Sequence, residues 1–327
     1  MNLCIGTLSS FINGRPDLSA LVDDLMEFKL CGDFMLTEIG HGLDARNLET
    51  TATLLPDGYF DLHTPNPSAA KAMPPSTPQC GVPRVAIVFA RLITDGMDYG
   101  VKPFLVRIAD GEAMHRGITS RALPTRPGTK PLDHAITSFD HVRLPPTALH
   151  GSSAKPRDSR ADFFKQIWRV PVGTLSLCIA MVAPIKVASE ITARYSQRRL
   201  TAASDDGARI PILAFSTQQR PILRGFTNAI ILDAFGRWTI KGFMDPSHSP
   251  LVRHALAIVF KVTTVQAMKI LNEFSERCGW QGLFAYNQLS EIELSVKGNC
   301  IAEGETLVLC IRESPTSTAW YAHSQPC

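Results

Sequence analysis

The stretch LTEIGHGLDARNLETTAT, Leu36 to Thr53, decides between two fold classes. Its hexamer GHGLDA, Gly40 to Ala45, fits G-x-G-x-x-A, the phosphate-binding turn of a dinucleotide-binding domain. That turn requires an α-helix directly after its glycines. The residues that follow, RNLETTATLLPDG, are Thr-rich and are interrupted by Pro56 and Gly58, so they do not favour a helix. The sequence therefore favours another fold, and a nicotinamide enzyme stays only as an alternative hypothesis.

The composition indicates a globular protein with ample apolar material. The chain has 327 residues, which suggests two domains or one large domain with an appendage, and 45% of them are hydrophobic. A net charge of +3 is too small to indicate a nucleic-acid groove, so we expect no nucleic-acid partner. The 8 cysteines form no C-x-x-C pair and no tight cluster with histidine. We therefore predict reduced core cysteines, an intracellular location and no metal site.

No segment of the chain is predicted to enter or cross a membrane. The N-terminus MNLCIGTLSSFINGRPD has neither the basic start nor the long apolar core of a signal peptide. The longest uncharged apolar run, Val170 to Ile185, is shorter than the roughly 20 residues of a membrane-spanning helix. A buried helix is therefore the expectation for this run.

The pattern of residues predicts four successive regions. Residues 1–30 predict one short helix, DLSALVDDLMEFKL, with Asp17 or Ser19 as its cap. Residues 31–150 predict a β domain, in which the strands RVAIVFARLI and KPFLVRIA are separated by the turn TDGMDYG. Residues 151–162, GSSAKPRDSRAD, predict a linker. Residues 163–327 predict a helical bundle, in which apolar residues from Val252 to Phe274 recur at helical spacing.

The stretch from Leu36 resembles the middle domain of the acyl-CoA dehydrogenase and acyl-CoA oxidase superfamily. The pattern T-E-x-G-H-G is followed by L-E-T-x-A-T, and three further blocks agree in order: YGVKPFLVRI, then ARYSQRR with PILAFSTQQ, then ERCGWQGL with IAEGETLVL. The resemblance covers residues 20–312 and is greatest to the peroxisomal acyl-CoA oxidases and their fungal relatives. It implies an α+β fold, with a middle β-barrel or sandwich domain followed by a C-terminal α-helical bundle.

The resemblance also implies a reaction and a cofactor. The reaction is α,β-dehydrogenation of an acyl-CoA thioester: a carboxylate removes the α proton, and the β hydrogen leaves as hydride to N5 of flavin adenine dinucleotide (FAD). FAD is held between domains and between subunits, so a homodimer or homotetramer is implied. The α proton is a very weak acid, so the thioester oxygen must be polarised by fixed donors and the base must sit in an apolar, water-poor site.

Glu303, in IAEG, matches the catalytic glutamate of the family. The apolar residues on both sides of it, CIA before and TLVLCI after, are expected to raise its pKa. Its backbone N–H is expected to be one of the two donors to the thioester oxygen. A solvated loop glutamate beside Glu305 is the alternative that the spacing alone favours.

Four residues match positions that contact FAD in the family: Thr37, Arg199, Gln218 and Gly279. Thr37 is expected near flavin N5 and O4, where the alternative is a strand threonine, and His41 is expected to be structural. Arg199 is expected at the FAD pyrophosphate of a neighbouring subunit, because a guanidinium can bind phosphate oxygens in pairs. Arg194 and Arg198 are competing candidates, and an exposed basic helix end is the alternative for all three.

The sequence also departs from the family pattern. Gly42 and Leu43 are expected to contact the thioester tail, where the dehydrogenases carry a small hydroxyl residue in place of Leu43. Trp280 replaces the second glycine of C-G-G-x-G, and Pro75 replaces a glycine beside the flavin, so a different loop shape is expected at Pro74–Pro75. The resemblance implies that residues 1–30 are a remnant of the N-terminal helical domain of longer relatives.

These departures leave three functional hypotheses open. The first is an FAD-dependent acyl-CoA dehydrogenase that acts in fungal secondary metabolism. An acyl-CoA oxidase, which passes the electrons to oxygen, is the alternative within this hypothesis. The second is a non-catalytic, truncated paralogue that binds acyl-CoA or a partner subunit. The third is the nicotinamide enzyme. The last residues, Gln325 to Cys327, are not an S-K-L type tail, so a peroxisomal location is implied by the resemblance alone, with the cytosol as the alternative.

Overall fold

The chain divides into two compact units. A computed structural model describes residues 1–78, 81–128, 133–203 and 207–313. The first unit consists of residues 1–125 and 131–170, and the second of residues 126–130 and 171–327. The first is built mainly from strands and the second mainly from helices, which confirms the predicted α+β fold.

The first unit contains nine strands and three helices within the described residues. Its helices are α1 (Cys4–Ser9), α2 (Pro16–Met26) and α3 (Ser159–Gln166). Its strands are β1 (Cys31–Met35), β2 (Thr51–Leu54), β3 (Phe60–His63), β4 (Lys71–Ala72), β5 (Arg84–Thr94), β6 (Met97–Ala109), β7 (Ile118–Ala122), β8 (Ala135–Phe139) and β9 (Val142–Leu144).

Strand β5 is the centre of the larger sheet. It pairs in parallel with β1 and β2 and antiparallel with β6, while β3 joins β2 to β9 through antiparallel pairs. A smaller antiparallel sheet has the order β4-β8-β7. The predicted turn between β5 and β6 is shorter than the expected TDGMDYG, because Thr94 belongs to β5 and Met97 begins β6. Only Asp95 and Gly96 form it, with φ values of 50° and 74°, as a tight hairpin with a D-G sequence requires.

Both faces of β5 are buried, which explains why its sequence is continuously apolar rather than alternating. Successive side chains point to opposite faces of a sheet, so the strand contributes to two cores. One core receives Ala86, Val88, Ala90 and Leu92. The other receives Val85, Ile87 and Phe89 and is closed by residues of the three helices, Cys4, Leu8, Leu18, Leu25 and Phe163.

The N-terminal region and the linker differ from the prediction. Residues 1–30 form two helices rather than one, and α2 begins at Pro16 with Arg15 before it rather than with a cap from Asp17 or Ser19. Proline fits this first helical position because its missing N–H would have no partner there. The last residues of the predicted linker are helical, because Asp158 caps α3 by accepting the N–H groups of Arg160 and Ala161.

The cysteines fit the prediction of reduced core residues only in part, and the difference lies in their burial. Six are free in the described residues, and Cys4, Cys178 and Cys278 are buried as expected. Cys310 is exposed, however, so it is not a core residue. Cys80, Cys327 and the C-terminal tail Gln325 to Cys327 lie outside the described residues.

The second unit is a helical bundle with a short hairpin. Its elements are α4 (Arg169–Ala180), which begins in the first unit, α5 (Val182–Arg198), β10 (Leu200–Ala202), β11 (Arg209–Pro211), α6 (Ser216–Met244), α7 (Pro250–Met268), α8 (Ile270–Arg277), α9 (Leu289–Asn299) and α10 (Thr306–Glu313). The apolar face predicted for one helix is divided between α7 and α8 at Lys269. The shared core includes Ile185, Leu232, Phe260 and Phe274.

Two helical stretches pass a length-and-composition test for membrane spans. They are Arg169–Arg198 and Pro250–Arg277. In the most apolar 18-residue window of each stretch, 39% and 44% respectively is buried inside the protein. Core helices of soluble proteins pass the same test. Both stretches supply residues to the core of the helical bundle, so the test is weak evidence for a membrane span.

The segment TEIGHG is attached to the sheet by a buried ion pair. Lys71 Nζ lies 2.8 Å from Glu38 Oε1, and both side chains have 0% exposure. Lys71 also donates to the Phe89 carbonyl of β5 at 2.7 Å, while Glu38 accepts the N–H groups of Glu49 and Thr50. Burial lowers the pKa of Lys71 to about 8, against the opposing effect of Glu38. Each charge thus has an opposite charge and further hydrogen bonds to the backbone, which a buried charge requires.

Replacing one member of this pair should be costly. The change Glu38→Gln leaves the buried Lys71 without its counter-charge, and we expect a loss of about 3 kcal/mol in the free energy of unfolding. Glu27→Gln is the control, because the Glu27–Lys29 pair is exposed and such pairs contribute less than about 1 kcal/mol. Urea unfolding followed by circular dichroism measures both variants. Equal midpoints for the two would contradict a structural role for the buried pair.

Candidate functional site

Glu303 lies in the turn that joins α9 to α10. After α9, the N–H groups of Ile301 and Ala302 still donate to the Gly298 carbonyl, and the chain then reverses through Glu303 and Gly304. Both residues have left-handed backbones, with φ values of 56° and 96°. The next acidic residue, Glu305, accepts the N–H of Val308 in the first turn of α10 at 2.9 Å. The two neighbouring glutamates therefore have different surroundings, because Glu305 is engaged at a helix end.

The surroundings of Glu303 perturb its ionisation. Burial raises the pKa of Glu303 to about 7, and the charge of Lys261 opposes this rise. Near neutral pH, the carboxyl group is therefore divided between its charged and neutral forms. This is the range in which a carboxylate is most effective as a general base, because it is largely deprotonated and still basic enough to accept a proton. The solvated loop glutamate that spacing alone favoured does not have these surroundings.

Side chains from two other helices hold the backbone of this turn. Thr174 Oγ1 of α4 donates to the Glu303 carbonyl at 2.7 Å. Lys261 Nζ of α7 donates to the Ala302 carbonyl at 2.7 Å and also to the Gly304 carbonyl. Three consecutive carbonyls thus have a side-chain donor each. The sequence analysis missed both donors, although a lysine in the apolar run AIVFKVTTV is an anomaly that could have drawn attention to position 261.

The arginines of ARYSQRR are distinguished by their positions. Arg194 pairs with Glu190 one turn earlier on α5, so its guanidinium is occupied. Arg198 is the last residue of α5, and Arg199 follows it as the exposed C-terminal cap. Arg199 is also hydrogen-bonded through its backbone, donating to Tyr195 and accepting from Ile212. The fixed backbone and exposed side chain of Arg199 are compatible with an anionic ligand.

Gln218 has a structural position. It is buried near the start of α6, and its amide nitrogen donates to Ser196 Oγ at 2.8 Å and to the Arg277 carbonyl at 2.9 Å. These two bonds join α6 to α5 and α8. Its amide N–H groups are therefore engaged within the bundle, and only its oxygen is available for the FAD contact that the resemblance implies.

The segment CGWQG has one open and one crowded glycine. Gly279 has φ of 58°, and a Cβ atom there would meet nothing within 4 Å, so a ligand can approach this backbone closely. Trp280 is 69% exposed and packs edge-on against Phe284. Gly282, which the sequence analysis did not single out, is required for packing, since a Cβ atom there would lie 2.3 Å from the Ser275 carbonyl oxygen.

The proposed residues of the first unit lie around the TEIGHG segment. Thr37 is half-buried, and its carbonyl accepts the N–H of Ala72 at 2.9 Å. Gly42 is exposed with open space beside it, and Leu43 is 70% exposed. His41 Nε2 lies 2.9 Å from Glu49 Oε1, which agrees with the structural role expected for this histidine. GHGLDA lies in short 3₁₀ turns rather than at the start of an α-helix, so the dinucleotide turn is not formed.

The Pro74–Pro75 segment begins with an unusual backbone conformation. Met73, directly before the prolines, has φ of 89°, and its side chain is 48% exposed. Its N–H donates to the Ala135 carbonyl, and its own carbonyl is within 2.8 Å of His134 Nδ1. The altered loop shape expected from the two prolines stays a prediction.

The sheet brings His63 close to two possible metal ligands that are distant from it in the sequence, the adjacent residues Asp140 and His141. His63, Asp140 and His141 have ligand atoms within 4.8 Å of one another. The two imidazole rings are stacked, with centroids 4.1 Å apart and planes inclined by 13°. Ring nitrogens bind a metal in the plane of the ring, and nearly parallel planes do not converge on one ion. The cluster therefore has suitable residues but not the ring orientation of a metal centre.

The structure assembles the predicted residues in separate groups. Thr37, Gly42 and Leu43 belong to the first unit. Arg199, Gln218, Gly279 and Glu303 belong to the second, where Gln218 bonds to Arg277, two positions before Gly279. Within the described part of the second unit, no hydrogen bond or ion pair joins Glu303 to the other three.

Comparisons with known proteins agree with this architecture. Residues 173–314 match the family of the acyl-CoA oxidase C-alpha1 domain. Peroxisomal acyl-coenzyme A oxidase 3 of Homo sapiens is 26% identical over 330 residues, which cover 92% of this chain and 47% of that protein. Peroxisomal acyl-coenzyme A oxidase 1 of Arabidopsis thaliana is 28% identical, over 86% of this chain and 46% of that protein. The chain thus spans about half the length of these curated relatives.

Solved structures show the same fold. Acyl-CoA oxidase-1 of Caenorhabditis elegans, complexed with FAD and ATP, has a TM-score of 0.81 and 22% identity, over 98% of this chain and 49% of that chain. Acyl-CoA oxidase 1 of Yarrowia lipolytica also has a TM-score of 0.81, with 21% identity over 99% of this chain and 52% of that chain. Both confirm the fold that the ordered sequence blocks predicted.

Proposed function

Since the chain belongs to the acyl-CoA oxidase and acyl-CoA dehydrogenase superfamily, we propose that it oxidises an acyl-CoA thioester to the α,β-unsaturated thioester. The observation that carries this proposal is the partly buried Glu303 in a turn whose carbonyls are held by Thr174 and Lys261. Glu303 is the base that takes the α proton. A carboxyl group with a pKa of about 7 has enough carboxylate at neutral pH and retains the basicity that this weak acid requires.

The chain's own residues do two things in this reaction. The Glu303 carboxylate accepts the proton, and its backbone N–H donates to the thioester oxygen, where negative charge develops as the proton leaves. A donor fixed in advance stabilises that charge without reorganisation, and the held carbonyls on both sides of this N–H keep the turn in place. Gly42 and Leu43 are proposed contacts of the thioester tail, and their exposure leaves them accessible.

FAD is the proposed cofactor, and several residues fit it. Gly279 offers open backbone, Arg199 an exposed guanidinium for phosphate, and Thr37 a half-buried hydroxyl. Gln218 fits less well, because its amide N–H groups are already bonded within the bundle. When bound, FAD supplies the acceptor for the β hydrogen, which leaves as hydride. A protein that stays colourless when mixed with FAD would favour the non-catalytic hypothesis.

The base is tested by the change Glu303→Gln, which keeps the size of the side chain but removes its basicity. We expect this variant to retain FAD and to lose the anaerobic bleaching of the flavin by straight-chain acyl-CoA thioesters, by about 1,000-fold or more in rate. Glu305→Gln is the matched control, since that neighbour is engaged at the start of α10. Stopped-flow absorbance measures the bleaching. A wild-type rate in Glu303→Gln would exclude Glu303 as the base.

Molecular oxygen is the proposed electron acceptor, although the sequence analysis placed a dehydrogenase first. The matched human and Arabidopsis relatives are named peroxisomal oxidases, and we propose the same reaction and compartment for this chain. One acyl-CoA and one oxygen then give one enoyl-CoA and one hydrogen peroxide. A peroxidase-coupled assay should detect peroxide equal to the enoyl-CoA formed. Turnover that requires an electron-accepting dye and yields no peroxide would instead establish a dehydrogenase.

A homodimer is the proposed assembly, and α6 is its proposed interface. This 29-residue helix exposes the large apolar side chains of Leu223, Ile230 and Trp238 at steps of seven and eight residues, about two helical turns each, so they lie along one side. Light scattering should give twice the chain mass for the wild type and a lower mass for Trp238→Glu, which places a charge on that side. Lys165→Glu, an exposed charge reversal on α3 and not on α6, is the control. A monomeric wild type would refute the dimer.

A further inference from the structure

Lys261 is a buried cation in the middle of an apolar helix. It lies on α7 between Phe260 and Val262, and only 1% of it is exposed. A buried ammonium group is stable only when its N–H groups are bonded and its charge is compensated. Two of its three N–H groups donate to the carbonyls of Ala302 and Gly304, the residues on either side of Glu303. Its hydrogen bonds are therefore directed at the turn that carries the proposed base.

The turn itself requires such support. A glutamate with a left-handed backbone is strained by about 1 kcal/mol or more, and it persists only where its surroundings determine it. Lys261 bonds the carbonyls before and after Glu303, while Thr174 bonds the carbonyl of Glu303 itself. These donors come from α7 and α4, so the turn is attached to two helices. The orientation of the Glu303 side chain and N–H depends on this attachment.

Lys261 also supplies the charge that the Glu303 carboxylate faces. The titratable groups that surround the ammonium group are Cys178 of α4, Cys300 at the end of α9, and Glu303 and Glu305 in and beside the turn. Burial raises the pKa of Cys178 to about 12 and raises that of Cys300, so both thiols are neutral at physiological pH. Lys261 is thus the positive charge that opposes the effect of burial on Glu303.

We propose that Lys261 is a positioning residue, which holds the Ala302–Gly304 turn and places a fixed positive charge beside the Glu303 carboxylate. This role rests on the proposed function of Glu303 as the base. The two effects of Lys261 act together, because the same ammonium group bonds the backbone on either side of Glu303 and acts electrostatically on its carboxylate. Lys261 lies 42 residues before Glu303, on a separate helix. The orientation of the base therefore depends on the packing of α7 against the turn.

The charge is tested through the pH dependence of anaerobic flavin reduction by a straight-chain acyl-CoA. In the wild type, the rate should rise with pH through about 7, because Glu303 must be deprotonated to act. Lys261→Gln keeps N–H donors but removes the charge, so the carboxylate is less favoured and the midpoint moves upward, by about one pH unit. At pH 7 this shift slows the reaction by up to about tenfold. Lys261→Met should show the same shift with a further loss of rate.

Thr174→Ser is the matched control for the other support of the turn. It keeps the hydroxyl donor to Glu303 and leaves Lys261 in place, so the midpoint should stay at the wild-type pH. Flavin content and thermal unfolding are measured for every variant. An unmoved midpoint in Lys261→Gln and Lys261→Met would overturn the proposal. So would a failure of both variants to fold, because Lys261 would then act through the stability of the bundle.

The result for Glu303→Gln separates this inference from the proposed function. If that variant bleaches normally, the proposed base is wrong, and Lys261 has no base to position. If it is inactive while the Lys261 variants keep the wild-type midpoint, the function stands and the role of Lys261 alone is refuted. An inactive Glu303→Gln together with a raised midpoint in Lys261→Gln supports both.

Discussion

The first unit depends on a buried ion pair, Glu38 with Lys71. Removing two charges from water is costly, and the cost is offset only when each charge is bonded on every available side. Glu38 accepts two backbone N–H groups besides the ammonium group, and Lys71 also donates to β5. The segment that carries Thr37 therefore cannot leave the sheet without exposing a charge to an apolar core. This constraint holds an otherwise irregular loop in one conformation.

The second unit uses the same principle with different partners. Lys261 is as deeply buried as Lys71, but its hydrogen bonds go to backbone carbonyls rather than to a carboxylate. No hydrogen bond or ion pair joins the Glu303 carboxylate to Lys261 in the described residues, so the carboxylate is free for the proposed role as base. Lys71 therefore completes a structural ion pair, whereas Lys261 holds the backbone on either side of the proposed base. In both units the ammonium group orders a loop that regular secondary structure does not.

The perturbed carboxyl group of Glu303 results from two opposing effects. Burial disfavours the charged form, and the nearby ammonium group favours it, so the balance lies near neutral pH. Burial alone would give a carboxyl group that stays protonated and cannot accept a proton. A fully paired carboxylate would be too weak a base. Its neighbour Glu305 shows the contrast, since a helix end engages that side chain only two positions away.

The sequence by itself determined the fold class and the strands β5 and β6, because these depend on local patterns or on ordered family blocks. The same blocks carry the prediction of Glu303 as the base, which remains a proposal. The sequence did not predict the separate helix α1, whose Cys4 and Leu8 share a core with β5, or the start of α3, which the Asp158 side chain caps. Lys261 and Thr174 meet the turn from 42 and 129 positions away, and His63 meets His141 across paired strands. Only the tertiary structure decided these contacts, because the packing of helices and the register of strands, not chain order, set distances between side chains.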